Sequence, residues 1–262
     1  MPYTLSHTAA VLPFSRVLER YRMLSAAVVG SMVPDFGYLL PGGLPRFETH
    51  SAAALLDFCL PAGLATYWLF QWLIKRPVWE ILPDDAHYRT RGHSAPARLA
   101  DWRQWAAAIT GVIGGAITHL AWDGFTHEGA RGVRMIPALN DDVADVAGHH
   151  LLIYKLLQQG SSLFGLAVLA WVLWRALSLR SPHAGGTRAL AAGERQRWFG
   201  AYAATAMLAS FAALLVEPLA GHGPMAIVGG LAIAALRGLA IAVIAVSAAL
   251  RLRLFVGDRS RR

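Results

Sequence analysis

Four stretches of the chain, residues 52–74, 105–125, 161–179 and 225–250, are apolar almost without interruption, and a fifth, 198–216, follows the same pattern. A hydrocarbon core of about 30 Å takes roughly 20 residues of helix to cross. The pattern therefore predicts an all-α, polytopic membrane protein with about five transmembrane helices. Ahead of them, Phe14, Val17, Leu18, Tyr21, Leu24 and Val28 recur at helical spacing after an extended start, which predicts an amphipathic N-terminal helix. Residues 23–40 are apolar enough to be taken for a span, but Pro34-Asp35 and Gly37 interrupt them. Such breaks are tolerated only where backbone packs against protein, so this segment is expected outside the spans, as a broken or re-entrant piece. The expected organisation is one integral membrane domain, with residues 1–160 carrying the N-terminal region and two spans and 161–262 the remaining spans.

Polar stretches separate the spans. Residues 75–104 hold Asp84-Asp85 and three prolines, residues 127–160 include NDDVAD and GHHLLIYKLLQQGSS, and residues 180–197 carry the linker-like SPHAGG. No internal repeat is visible.

Composition agrees with this picture. Of 262 residues, 55% are hydrophobic and 15% charged, with a mean hydropathy of +0.42, whereas a soluble domain carries charge on about a quarter of its residues. The start, MPYTLSHTAAVLPFSRVLERYR, lacks the charged head and unbroken apolar core of a signal peptide, so the first membrane helix is expected to do the targeting. The single cysteine, Cys59, allows neither an intrachain disulfide nor a cysteine-based metal site. The net charge of +8 is not arranged as a basic stripe with exposed aromatics, so no nucleic-acid partner is expected. The bilayer is the expected partner, and the many tryptophans flanking the spans read as interface anchors.

With five spans the Lys and Arg residues fall sixteen on one side and seven on the other, with Arg237 inside the last span. The positive-inside rule then puts the C-terminus in the cytoplasm and the N-terminal region outside. The histidines were not used for that assignment, yet His7, His50, His119, His127, His149, His150 and His222 fall on or near the outer face, against His87, His93 and His183 inside. Asp35, Asp57, Asp123, Glu128 and Glu217 share that side or that end of a span.

The stretch AITHLAWDGFTHEG, residues 116–129, gathers this chemistry. On a helix, a step of four residues rotates a side chain by only about 40° and advances it about 6 Å, so His119, Asp123 and His127 form one stripe. Neighbours on it can share an ion, whereas the outer two, about 12 Å apart, cannot. Asp123 therefore either serves one ion with His119 or bridges to a second held by His127. Imidazole and carboxylate are the usual ligands of zinc and other first-row divalent ions, which take three or four of them. His50, Asp35 and His7 are the residues that topology can bring to the same place. An open coordination position would let the metal lower the pKa of bound water and support hydrolysis. The competing reading is structural, because polar side chains in membrane helices commonly tie helices together. Asp57 and Arg237 are read either as a buried pair or as pore lining.

Along most of its length the chain resembles a bacterial multi-pass membrane family catalogued as domain of unknown function 4184. The segments that carry the resemblance are MPYTLSHTAAVLP, AAVVGSMVPDFGYLL, THS at residues 49–51, ITHLAWDGFTHEG and YKLLQQGSSLFG. The order His, Pro-Asp, His-Ser, His-x-x-x-Asp is more distantly similar to membrane-bound metal-dependent hydrolases and to the zinc-dependent phospholipase C and single-strand nuclease fold. That similarity implies His7, Asp35, His50, His119, Asp123 and His127 as ligands, zinc as the metal, and hydrolysis of an ester or phosphoester of a lipid or envelope precursor at the outer face of the inner membrane. Two departures bear on the number of ions. The soluble class uses an N-terminal Trp amine where this chain reads MPY, and a His with a Glu four residues on, where His149 and His150 are followed at that spacing by Ile153 and Tyr154. One or two ions are therefore expected rather than three, unless Glu217 or His222 substitutes. A non-enzymatic transporter or scaffold with a polar packing seam is the alternative.

Overall fold

The computed structural model describes residues 3–40, 42–90, 95–97, 99–146, 149–178, 189–216 and 224–259. His93, His183, Glu217, His222 and the SPHAGG segment lie outside them. The N-terminal segment is a 3-10 helix, Thr4–Phe14, rather than extended, and is followed by α1 (Ser15–Arg20) and α2 (Leu24–Gly30). The expected single amphipathic helix is thus broken, and the break falls at Arg22, which takes a left-handed φ of 58°. A second 3-10 helix, Val33–Leu39, carries Asp35, and α3 (Arg46–Thr49) precedes His50.

The first predicted span is helical in pieces. Two π-turns, Leu55–Cys59 and Phe70–Ile74, flank α4 (Leu60–Leu69), and α5 (Lys75–Ile81) follows. The first π-turn ends two residues before Pro61 and the second three residues before Pro77. The Leu60 N–H reaches back to the Leu55 carbonyl ahead of Pro61, and the Lys75 N–H to the Phe70 carbonyl ahead of Pro77. A proline ring cannot donate and crowds the carbonyl four residues back, and the wider turn makes room for it.

Beyond α6 (Asp84–Arg89) comes α7 (Trp102–Thr126), whose first turn is capped by the Asp101 carboxylate accepting from the Gln104 N–H at 3.0 Å. The polar connection after α7 holds α8 (Arg131–Met135) and an antiparallel pair, β1 (Asp142–Val146) and β2 (His149–Leu152), with Asp145 opposite His150 and Val146 opposite His149. GHHLLIYKLLQQGSS, expected as loop, instead enters helix at Ile153. There α9 (Ile153–Ser178) begins, followed by α10 (Ala192–Val216) and α11 (Pro224–Arg259).

Among the described residues, four helical segments are long and apolar enough to cross a membrane: Trp102–Thr126, Ile153–Ala176, Ala192–Val216 and Gly229–Val256. Along α10, Phe199, Met207, Leu208, Phe211 and Leu215 are all exposed, a surface that soluble proteins avoid and lipid tails satisfy. Trp68, Trp102, Trp171 and Trp174 are likewise exposed. The chain is a polytopic helical membrane protein.

The chain divides into two compact units. One comprises Met1–Gly37, Leu44–Tyr67 and Leu99–Leu173, the other Tyr38–Gly43, Trp68–Arg98 and Trp174–Arg262. In the second, α10 packs on α11, with Tyr202 hydrogen-bonded to Ser247 at 2.8 Å and Leu190, Leu250 and Leu254 forming a small core against Trp198. Arg237 is held there by backbone carbonyls, its Nε donating to Tyr38 at 2.8 Å and its Nη2 to Leu40 at 2.6 Å.

The first unit is organised by α2 lying against α7. The buried face of α7 is one helical stripe, small at its start and polar at its end: Ala108, Gly111, Val112, Gly115, Ala116, His119, Asp123 and Thr126. A Cβ on Gly115 would sit 2.0 Å from the Ala27 carbonyl oxygen, and one on Gly30 2.1 Å from that of Val112. Only glycine permits this approach. Contact at Gly111 and Gly115 sets α2 beside the middle of α7, and residues 23–40 form a broken segment, α2 followed by the Val33–Leu39 3-10 helix. A Gly115→Val substitution is expected to cost about 1–3 kcal/mol by overpacking or to prevent folding, read as a lowered melting temperature in detergent, whereas Gly114→Ala, with open space around it, should be tolerated.

Candidate metal centre

Six side chains named from the sequence, His7, Asp35, His50, His119, Asp123 and His127, meet in the first unit. The Thr4–Phe14 helix delivers His7, whose ring stacks on that of His119 at 3.6 Å between centroids. The Val33–Leu39 helix, entered directly from α2, delivers Asp35, and the end of α3 delivers His50. The last two turns of α7 and its C-terminal cap supply His119, Asp123 and His127. His7, Asp35, His119 and Asp123 are buried, and the side chain of His50 is 4% exposed.

Two of the imidazoles have their tautomers set by their other nitrogen. His119 Nδ1 lies 2.7 Å from the Ser31 carbonyl oxygen, so it must carry the proton and donate. His50 Nδ1 lies 2.7 Å from Thr49 Oγ1, which accepts from the ring when its own hydroxyl is turned to the Arg46 carbonyl, 3.4 Å away. In these neutral tautomers both Nε2 atoms present lone pairs to the interior. Such partners on the far nitrogen orient metal-binding histidines and raise their basicity.

Around these lone pairs the spacing is specific. His50 Nε2 is 3.4 Å from Asp35 Oδ1 and 3.5 Å from Asp123 Oδ2, and His119 Nε2 is 3.6 Å and 3.5 Å from the same two oxygens. These separations exceed the usual 2.7–3.2 Å of a hydrogen bond. They match the edge of a tetrahedron whose centre lies about 2.0–2.2 Å from each corner, roughly 3.3–3.6 Å, which is the zinc–nitrogen and zinc–oxygen bond range. His7 Nε2, His50 Nε2, His119 Nε2 and Asp123 Oδ1 are buried with no hydrogen-bond partner. The donor set thus fits a divalent ion.

Asp123 Oδ1 faces a second group, with His7 Nε2 at 3.5 Å and His127 Nδ1 at 3.4 Å. His119 also lies close enough to form a trio with His7 and Asp123, but its one free lone pair is already committed to the Asp35, His50 and Asp123 Oδ2 corner. The stripe behaves as helical geometry requires, with Asp123 central and a carboxylate oxygen turned to each side. His127 Nε2 accepts from the Gln158 side-chain amide N–H at 2.9 Å; for Nδ1 to present a lone pair beside Asp123 Oδ1, that amide must turn its oxygen to the ring and take the Nε2 proton.

Burial, reinforced for His7 by neighbouring His119, lowers the pKa of His7 to about 4. Burial likewise lowers His127 to about 4, against the opposing pull of Asp123. Both rings are neutral at pH 7 and free to donate a lone pair.

Other sequence candidates lie elsewhere. His150 pairs with Asp142 on the exposed β1–β2 hairpin, His87 stacks on Trp79 in the second unit, and His149 lies in β2. Asp57 and Glu128 are exposed. Sequence reasoning missed Arg46, whose Nη2 donates to Asp123 Oδ2 at 2.6 Å. Its spacing of four from His50 was the available signal. Thr49 was quoted only as part of a motif, and the Ser31 contribution, a backbone carbonyl, has no side-chain signature.

Fold and site together define a class: a multi-pass helical membrane protein with a buried His/Asp cluster at one end of a span. The chain belongs to the family described as domain of unknown function DUF4184, whose model matches residues 1–248. No curated protein and no solved structure gives a significant match.

A Thr49→Val substitution keeps side-chain shape but removes the acceptor for His50 Nδ1–H. It is expected to weaken zinc binding to the purified protein by about 10–100-fold, measured by competition with a chromophoric chelator, while leaving the protein monodisperse.

Proposed function

We propose that this protein is a membrane-bound, metal-dependent hydrolase that cleaves an ester, most plausibly a phosphoester of a lipid or envelope precursor, at the outer face of a bacterial inner membrane. The observation that carries the reading is the convergence of Asp35 Oδ1, His50 Nε2, His119 Nε2 and Asp123 Oδ2, with four nitrogen–oxygen separations of 3.4–3.6 Å. In this reading those four residues hold one divalent ion, most suitably zinc. Asp123 Oδ1, His7 and His127 offer three ligands to a second. The ions would supply Lewis acidity and an activated water. The chain's own residues hold and orient them. Ser31 and Thr49 fix the ring tautomers, Asp123 spans the two positions, and the packing of α2 on α7 keeps bulk water from the inner ligands.

The side assignment rests on the sixteen-to-seven distribution of Lys and Arg. It places the mouth of the cluster at the outer membrane–water boundary, within reach of lipid headgroups.

Purified wild-type protein is expected to contain one to two transition-metal ions per chain by plasma mass spectrometry. His119→Ala and Asp123→Ala should lose most of that metal, and hydrolysis of a phosphodiester panel should stop on adding a chelator. Metal-free wild type, or unchanged metal in both variants, would refute the reading, and metal without hydrolysis would favour a non-enzymatic transporter or scaffold. Reporter fusions after Lys75 and at the C-terminus are both expected to report the cytoplasm; an external signal from either reverses the side assignment.

A further inference from the structure

Arg46 is the one member of the described cluster that reaches from its interior to its mouth. Its Nη2 touches Asp123 Oδ2 at 2.6 Å, yet its side chain is 36% exposed where that of Asp123 is 4% exposed. It stands at the first residue of α3, one helical turn before His50, so the turn that delivers a candidate ligand also delivers the guanidinium. Its Nε–H is buried with no hydrogen-bond partner. The planar guanidinium is built to offer Nε and an Nη together to two oxygens of one phosphate or carboxylate. Here Nη2 has an oxygen and Nε has none.

Charge completes the argument, which rests on the metal reading above. Asp35, Asp123 and Arg46 together carry a net charge of −1, so one divalent ion brings the cluster to +1 and two bring it to +3. The loaded pocket needs an anion. An ion sharing Asp123 Oδ2 also repels the guanidinium on that oxygen, freeing Nη2 to join Nε in meeting an oxyanion. A neutral carboxylic ester leaves both the excess charge and the Nε donor unanswered. An anionic phosphoryl group answers both.

We infer that Arg46 is the substrate-anchoring residue of the site, gripping two oxygens of an anionic phosphoryl group through Nε and Nη2 while the metal cluster faces the rest of that group.

The full chain in detergent, loaded with zinc, is titrated with inorganic phosphate by calorimetry as wild type, Arg46→Ala and Arg46→Lys, with zinc content and melting temperature measured on the same samples. Wild type is expected to bind phosphate only when zinc is present. Arg46→Ala should bind it at least ten-fold more weakly while holding zinc as tightly as wild type or more so, because a positive charge beside the ligands has been removed. Arg46→Lys, which keeps the charge without the planar fork, should fall between. Equal phosphate affinity in wild type and Arg46→Ala, or no phosphate binding by zinc-loaded wild type, overturns the inference alone. Reduced zinc affinity in Arg46→Ala also overturns it, since the residue would then serve to position Asp123. Wild type that holds no zinc overturns the metal reading and this inference with it. Displacement of phosphate by short-chain phosphatidic acid supports a lipid headgroup, displacement by glycerol phosphate a soluble ester, and failure of both counts against the inference.

Discussion

Everything in the first unit depends on how closely two backbones approach. Gly30, Gly111 and Gly115 let α2 lie on α7 with backbone atoms of the two helices nearly in contact. That contact leaves the Ser31 carbonyl 2.7 Å from His119 Nδ1 and sends the chain into the 3-10 helix that carries Asp35. A separation larger by one methyl group would take the acceptor away from His119 and carry Asp35 out of range of both His50 and His119. The small-residue half of the α7 stripe and its His/Asp half are therefore one device, in which close packing at one end positions chemistry at the other.

The stripe was legible in the sequence because helical periodicity makes residues four apart neighbours whatever else the chain does. Its partners were found by type and order, His7, Asp35 and His50 each standing in a distinctive short motif. What could not be read was what depends on the third dimension alone. The Ser31 carbonyl has no side-chain signature, and Gln158 becomes relevant only because α9 starts at Ile153, about two turns earlier than its hydropathy suggests. Arg46 was discounted as a topology-setting charge, although its spacing from His50 obeys the same rule of four that revealed the α7 stripe.

The prolines show a similar limit. Hydropathy marks residues 52–74 as one span, and the structure keeps the stretch helical while inserting a π-turn ahead of Pro61 and another ahead of Pro77. Average apolarity cannot register such local defects, since it counts transfer free energy and is blind to which carbonyl an N–H must reach. They matter here because the first π-turn lies just beyond His50, in the segment where Cys59 Sγ reaches the Thr49 carbonyl at 3.6 Å, and so helps fix the turn that holds the ring.

A polar packing seam is the serious rival to a metal centre, and the two differ in what they require of protons. A seam is stable when each buried acceptor meets a donor; leaving one unmet costs about 1–3 kcal/mol. His7 Nε2, His50 Nε2, His119 Nε2 and Asp123 Oδ1 are buried without a partner, so a dry seam would carry more than one such penalty. Around the inner corner the difference is one of charge. Asp123 Oδ2 already accepts from Arg46 Nη2 at 2.6 Å, and of the four converging atoms His50 Nε2 and His119 Nε2 are the two without a partner. A water can give one proton to each ring nitrogen, but it then turns its own lone pairs on two carboxylate oxygens within 3.4–3.6 Å of those nitrogens. A cation attracts the ring lone pairs and both carboxylates alike, and that favours an ion over a seam.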